Sequence, residues 1–122
     1  MTRYSKSVLL VDDDPADLAL FGRELRKLGY RVLETDKADI AMAEIVSGSV
    51  ACVVTDQAMP ISGHELVAVA KGVRKDIGVI FLSGAAQPSK PLPEHSTFIS
   101  KDDRAGLQRA VQACMEQWAV VA

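Results

Sequence analysis

The stretch "SVLLVDDDPADLALFGRELRKLG", residues 7–29, decides the fold. Residues 7–11 are a short apolar run rich in aliphatic side chains, and they stop abruptly at three aspartates. Asp14 followed by Pro15 reads as a helix N-cap and first helical position: the carboxylate accepts an orphan N–H, and proline has none to leave unpaired. Leu18, Phe21, Leu25 and Leu28 then recur at steps of three and four, the apolar face of a helix. Gly29 is placed to end it in a left-handed conformation. A buried strand therefore runs through an acidic turn into an amphipathic helix.

Working outward, the same unit repeats. Residues 31–35 read as a second strand. Asp36 or Asp39 can open the next helix, with Ile40, Ala43 and Ile45 or Val46 facing inward and a stop near Gly48. Residues 50–55, "VACVVT", are almost wholly apolar, as expected of a parallel strand covered on both faces. A helix from about Gly63 carries Leu66, Val69, Ala70 and Val73. Residues 78–82 and 97–100 are two more strands. The last helix, with Asp102 and Asp103 in its first turn, carries Leu107, Ala110, Val111, Cys114 and Trp118. Alternating strands and helices imply one α/β domain, residues 1–122, with a parallel sheet, helices on both faces and right-handed crossovers.

The bulk numbers narrow the function. The chain has 122 residues, 48% of them hydrophobic, enough for one core. Its net charge of −2 gives no basic footprint for nucleic acid. The N-terminus has no apolar signal core and no run approaches membrane-spanning length, so a soluble cytoplasmic protein is expected. Cys52 and Cys114 match neither a CxxC pair nor a metal pattern and read as reduced thiols of a core. His64 and His95 show no partner base and read as surface residues.

In a parallel α/β sheet, chemistry gathers at the carboxyl ends of the strands. Asp12 and Asp13 end the first strand, Asp56 the third, Ser83 the fourth and Lys101 the fifth. Clustered carboxylates repel by roughly 4 kcal/mol per pair at about 4 Å and an effective dielectric near 20. Lys101 supplies one compensating charge; a divalent cation would supply the rest, and oxygen ligands suit Mg²⁺ or Mn²⁺. A carboxylate, a lysine, a hydroxyl and a hard metal together make phosphoryl-transfer equipment.

"VLLVDDDP" (8–15), "VVTDQAMPISG" (53–63), "VIFLSG" (79–84) and "FISK" (98–101), in that order and spacing, resemble the receiver domain of two-component response regulators. The resemblance covers nearly the whole chain. It implies a flavodoxin-like, doubly wound five-stranded sheet in the order 2-1-3-4-5. It implies that Asp56 accepts a phosphoryl group, that Asp12 and Asp13 hold Mg²⁺ with Asp56 and the carbonyl of Ala58, that Lys101 binds the phosphate, and that Ser83 and Phe98 act as the switch. The implied partners are a histidine kinase or phosphotransfer protein and a downstream protein, or an output domain missing from this chain. The implied role is signalling, not enzymatic turnover. An alternative keeps the fold as a phosphorylation-independent interaction module. A phosphohydrolase of the haloacid dehalogenase type fits poorly, because Asp56 is followed by Gln57 and Ala58 where a general-acid Asp two residues on is needed.

The chain departs from the family in several places. Asp102 follows Lys101 where the family usually has proline, commonly after a cis bond, so either a trans bond or a strained cis bond is expected there. Ala58 and Ala85 are small and apolar at positions that steer hydrolysis of the acyl phosphate. Ser62 stands where an acidic residue is frequent and can cap the third helix. Pro88, Pro91 and Pro93 fall where the fourth helix normally lies. At about 3 kcal/mol each in a helix interior, they predict a helix that is absent or reduced to a turn. Lys90 and Leu92 then become candidate contacts on a stiffened loop.

Overall fold

The fold comes from a computed structural model of the chain, which describes residues 6–56, 66, 68, 69, 71, 72, 77–85, 91, 92 and 96–121, with side chains as far as Glu116. Five strands form one parallel sheet: β1 (Ser7–Val11), β2 (Val32–Thr35), β3 (Val50–Asp56), β4 (Gly78–Ser83) and β5 (Ser96–Ser100), in the order β2-β1-β3-β4-β5. Three helices are described end to end: α1 (Pro15–Lys27), α2 (Ala38–Ser47) and α3 (Arg104–Val121). Leu66, Ala68, Val69, Lys71 and Gly72, between β3 and β4, are also helical.

Strand alternation sorts the core into two halves. Val8, Leu10, Cys52, Val54, Ile80 and Leu82 face Phe21 and Leu25 of α1 and Leu107, Val111 and Met115 of α3. Leu9, Val11, Val53, Val79 and Phe81 face Ala41 and Ile45 of α2 and Leu66. All five residues of β1 and all seven of β3 are buried, which is why both read as continuous apolar runs.

The first turn is built as its sequence dictates. The Asp14 carboxylate accepts the Ala16 N–H at 2.9 Å, with Pro15 at the first helical position. Gly29 follows the helix with φ of 93°. Gly48 likewise closes α2 in the left-handed region, φ 83°.

Several details differ from the sequence reading. Leu28 is 40% exposed, because it is the C-cap of α1 and leaves the helical stripe. On α2 the inward face is Ala41 and Ile45; Ile40 and Val46 are exposed, as is Ala43. The helix starts after Lys37, not at an aspartate cap, because Thr35 Oγ1 accepts the Lys37 N–H at 3.0 Å and turns the chain there. Asp103 precedes α3 as its cap: its Oδ1 accepts the Gly106 N–H at 2.8 Å. Met115, absent from the expected stripe, is fully buried, while Trp118, Ala70 and Val73 lie outside the described side chains.

Among the described residues between β4 and β5, none is helical. Gly84 and Ala85 form a bend, and Pro91 and Leu92 take no regular structure. Residues 86–90 and 93–95, which include Pro88, Lys90, Pro93 and His95, lie outside the described set. No helix of the described residues is long and apolar enough to cross a membrane.

Candidate phosphoryl-acceptor site

Register places the site. Val11 pairs with Thr55, so Asp12 and Asp56 leave their strands at the same level of the sheet. Asp56 pairs with Leu82 and Ser83 with Ser100, which sets Ser83 and Lys101 at the same carboxyl edge one strand further along. The Lys101 N–H donates to the Ser83 carbonyl at 2.8 Å and extends the ladder to the lysine itself. Parallel pairing alone therefore brings together residues separated by up to 89 positions in sequence.

Lys101 is the hub. Its Nζ lies 2.6 Å from Asp17 Oδ2, 2.9 Å from Asp12 Oδ2 and 3.1 Å from Asp56 Oδ2. Burial alone would lower its pKa, but the hydrogen bonds to Asp17 and Asp56 and the close pairing with the Asp12 carboxylate outweigh that and hold it above its ordinary value. The lysine is a firmly charged ammonium held among carboxylates.

Asp12 is 1% exposed and its surroundings pull in opposite directions. Burial pushes its carboxyl above the ordinary value, while the Asp14 N–H, donating to Oδ1 at 2.9 Å, and Lys101 oppose the rise. Asp12 Oδ2 is buried and accepts no hydrogen bond of good geometry. The 2.9 Å approach of Lys101 to that oxygen is thus an ion pair by distance, with the N–H directions given to Asp17 and Asp56.

That buried oxygen, paired to Lys101 but accepting no hydrogen bond of good geometry, tests whether the site suits a divalent cation. Asp12, Asp13 and Asp56 each offer a carboxylate oxygen, and these oxygens lie within 4.8 Å of one another. An all-oxygen set with a buried, under-coordinated acceptor matches the preference of Mg²⁺ or Mn²⁺. The residues present fit the ion. Ala58, whose carbonyl the family resemblance adds to this set, lies outside the described residues, as do Met59, Pro60, Ser62, Gly63 and His64.

The remaining expected residues are placed as follows. Ser83 is 4% exposed, and its Oγ accepts the Ala85 N–H at 3.0 Å, an interaction that shapes the bend after β4. Phe98 pairs in register with the buried Phe81, is itself half-buried, and packs on the α2 half of the core. The Lys101–Asp102 bond is trans, as all described peptide bonds are.

Asp17 is the site residue that the sequence reading missed. It stands in the first turn of α1, where an acidic residue is already explained by the helix dipole. The available signal was the cap itself: Asp14 at the N-cap and Pro15 at N1 fix the helix start, and position 17 then lies on the turn nearest the acidic pair.

A five-stranded parallel sheet in the order 2-1-3-4-5, carrying an acidic cluster around one lysine at its carboxyl edge, defines a doubly wound α/β protein with its charged groups gathered where such folds bind ligands. The model of the response regulator receiver domain matches residues 8–112, and the chain belongs to that family. Solved structures agree. A response regulator receiver protein from Sinorhizobium medicae is 26% identical, with a TM-score of 0.81 over 92% of this chain and 95% of that one. The receiver domain of the hybrid histidine kinase CckA is 28% identical, with a TM-score of 0.75 over 89% and 98%. The response regulator TrrA from Thermotoga maritima, solved in complex with Mg²⁺ and BeF, is 26% identical, with a TM-score of 0.77 over 89% and 98%. No curated protein matches the chain.

Proposed function

We propose that this receiver domain, spanning residues 1–122 and acting in the cytoplasm, accepts a phosphoryl group on Asp56 from a histidine kinase or phosphotransfer protein and signals by a change of conformation. The observation that carries the reading is the convergence of Asp12 and Asp56 on the Lys101 ammonium, at 2.9 and 3.1 Å, beside the exposed Asp13.

The chemistry follows from these groups. A carboxylate oxygen of Asp56 attacks phosphorus, forming an acyl phosphate. The bond from phosphorus to the donor breaks, and the leaving group, an imidazole in a phosphohistidine, takes its electron pair and a proton from solvent. Lys101 is already positioned to share its positive charge with the phosphoryl oxygens. Asp12, Asp13 and Asp56 would hold Mg²⁺, with Mn²⁺ suited to the same oxygens, and the Ala58 carbonyl would add a ligand. Bound there, the cation supplies the positive charge that lets an anionic donor approach an anionic site. Ser83, buried one strand over, would rotate its hydroxyl from the Ala85 N–H toward the new phosphoryl group, and Phe98 would follow. Asp56 is thus a stoichiometric acceptor, not a centre of turnover. The output passes to a downstream protein, or to a domain outside this chain.

The test is intact-mass measurement after incubation with acetyl phosphate and Mg²⁺. Wild-type protein gains one acid-stable, base-labile phosphoryl group, and Asp56→Asn gains none. A wild type that stays unmodified with a competent donor would falsify the reading and leave the phosphorylation-independent module in its place.

A further inference from the structure

Asp17 makes the shortest of the three carboxylate contacts to Lys101, 2.6 Å against 2.9 and 3.1 Å. It comes from α1, not from a strand end, and its side chain is 24% exposed. It stands apart from the group of carboxylates close enough to share a cation, which is Asp12, Asp13 and Asp56. Favourable placement in the first turn of a helix needs no contact with another element. Asp17 nonetheless reaches across to a lysine 84 positions away.

An ammonium has three N–H groups and no acceptor. Lys101 donates one to Asp17 and one to Asp56, and Asp12 stands on a third side. A phosphoryl group on Asp56 brings new anionic oxygens that need the same ammonium. Two of the resting contacts can adapt without loss, because Asp56 is itself the group modified and Asp12 faces the cation site. The Asp17 contact cannot: it holds Lys101 toward α1, and every donor it keeps is one the phosphoryl group lacks.

We propose that Asp17 is a positioning residue that anchors Lys101 in the resting state and competes with the phosphoryl oxygens for its ammonium, restraining phosphoryl acceptance. This rests on the reading of Asp56 as the acceptor. The anchor sits on α1, so whatever displaces the start of that helix would release the lysine.

The experiment compares wild type, Asp17→Asn and Asp17→Glu, each with and without Lys101→Met. The first readout needs no phosphoryl donor: exchange of the Lys101 ammonium hydrogens with water, followed by ¹⁵N NMR. Asp17→Asn is expected to exchange faster than wild type by about three- to tenfold, the range for a charge-assisted bond partly open to solvent, with Asp17→Glu restoring slow exchange. The second readout is the rate of Asp56 phosphorylation by acetyl phosphate. Asp17→Asn is expected to gain about three- to tenfold on the same grounds, and the gain should vanish in the Lys101→Met background.

Unchanged exchange in Asp17→Asn would overturn the anchor whatever the phosphorylation result. A slower rate, or the same gain without Lys101, would overturn the competition, the latter assigning the effect to charge alone. Faster exchange in a protein whose wild type takes no phosphate would leave the contact real, overturn the restraint and fail the acceptor reading with it. If Asp17→Asn does not fold, Asp17→Ser with the same two readouts decides the matter.

Discussion

Lys101 shows how a single side chain sets the electrostatics of a site. Three carboxylates surround it, and Asp12 among them is 1% exposed. Removing a buried cation while its partners stay is costly because the desolvated anions are left facing one another. Lys101→Ala is expected to lower stability by roughly 2–3 kcal/mol at pH 7, measured by urea denaturation. The pH dependence follows from the signs. The folded-state pKa of Lys101 is raised, so its contribution is whole below the unfolded value near 10.4 and is lost only as pH climbs through the folded value. On the acid side Asp12 decides: burial raises its carboxyl above the ordinary value, so it gains its proton at a higher pH than a free aspartate, the lysine then has less to neutralise, and the deficit of Lys101→Ala should shrink as pH falls. An equal deficit at neutral and acid pH would mean that lost packing, not charge, is the cause.

At the scale of elements, β4 and α3 meet closely at Gly78. Gly78 pairs with Cys52 on β3, and a Cβ built on Gly78 would fall on the Cys114 sulfur, so the thiol occupies the space a side chain would take. Cys114 also reaches the Ala51 carbonyl at 3.5 Å. Both cysteines are free. Cys52 is buried, and the neighbouring Cys114 together with burial raises its pKa well above the ordinary value, so it stays a protonated member of the core. Gly78→Ala is expected to destabilise by about 1–3 kcal/mol through overpacking. Cys114→Ala should relieve most of that in the double variant, a coupling that a denaturation cycle reads directly. The sequence showed both cysteines as core residues but not that they meet. Helix periodicity gives a face, not a depth, and nothing in residues 104–116 says which sheet position lies beneath Cys114. The same limit explains α2: Ile40 and Ala43 fit a helical period as well as Ala41 and Ile45 do, and only the close approach that Ala41 permits selects between them.

For the whole molecule, the alternation of strands and helices and the acidic edge were legible because each rests on strong local signals, whereas the strand order came with the family resemblance. Aspartates end apolar runs, Pro15 follows its cap, and the alternation of elements leaves few topologies. Asp17 was not legible, since its role depends on where α1 lies over β5, a relation between distant segments. Burial also predicts how the fold opens. Every residue of β1 and β3 is buried, whereas all five residues of the edge strand β5 retain some exposure. In native-state hydrogen exchange, β1 and β3 amides should exchange only with global unfolding and β5 amides earlier, through local opening. Equal protection across all five strands would contradict this ranking. The position of Lys101 has a further consequence in time. A ribosome makes Asp12, Asp13, Asp17 and Asp56 well before residue 101, and the β1–β3 pairing that gathers three of them needs nothing beyond residue 56. The growing chain therefore assembles its anions before their counter-charge exists, and the docking of β5 is the event that makes the edge tolerable.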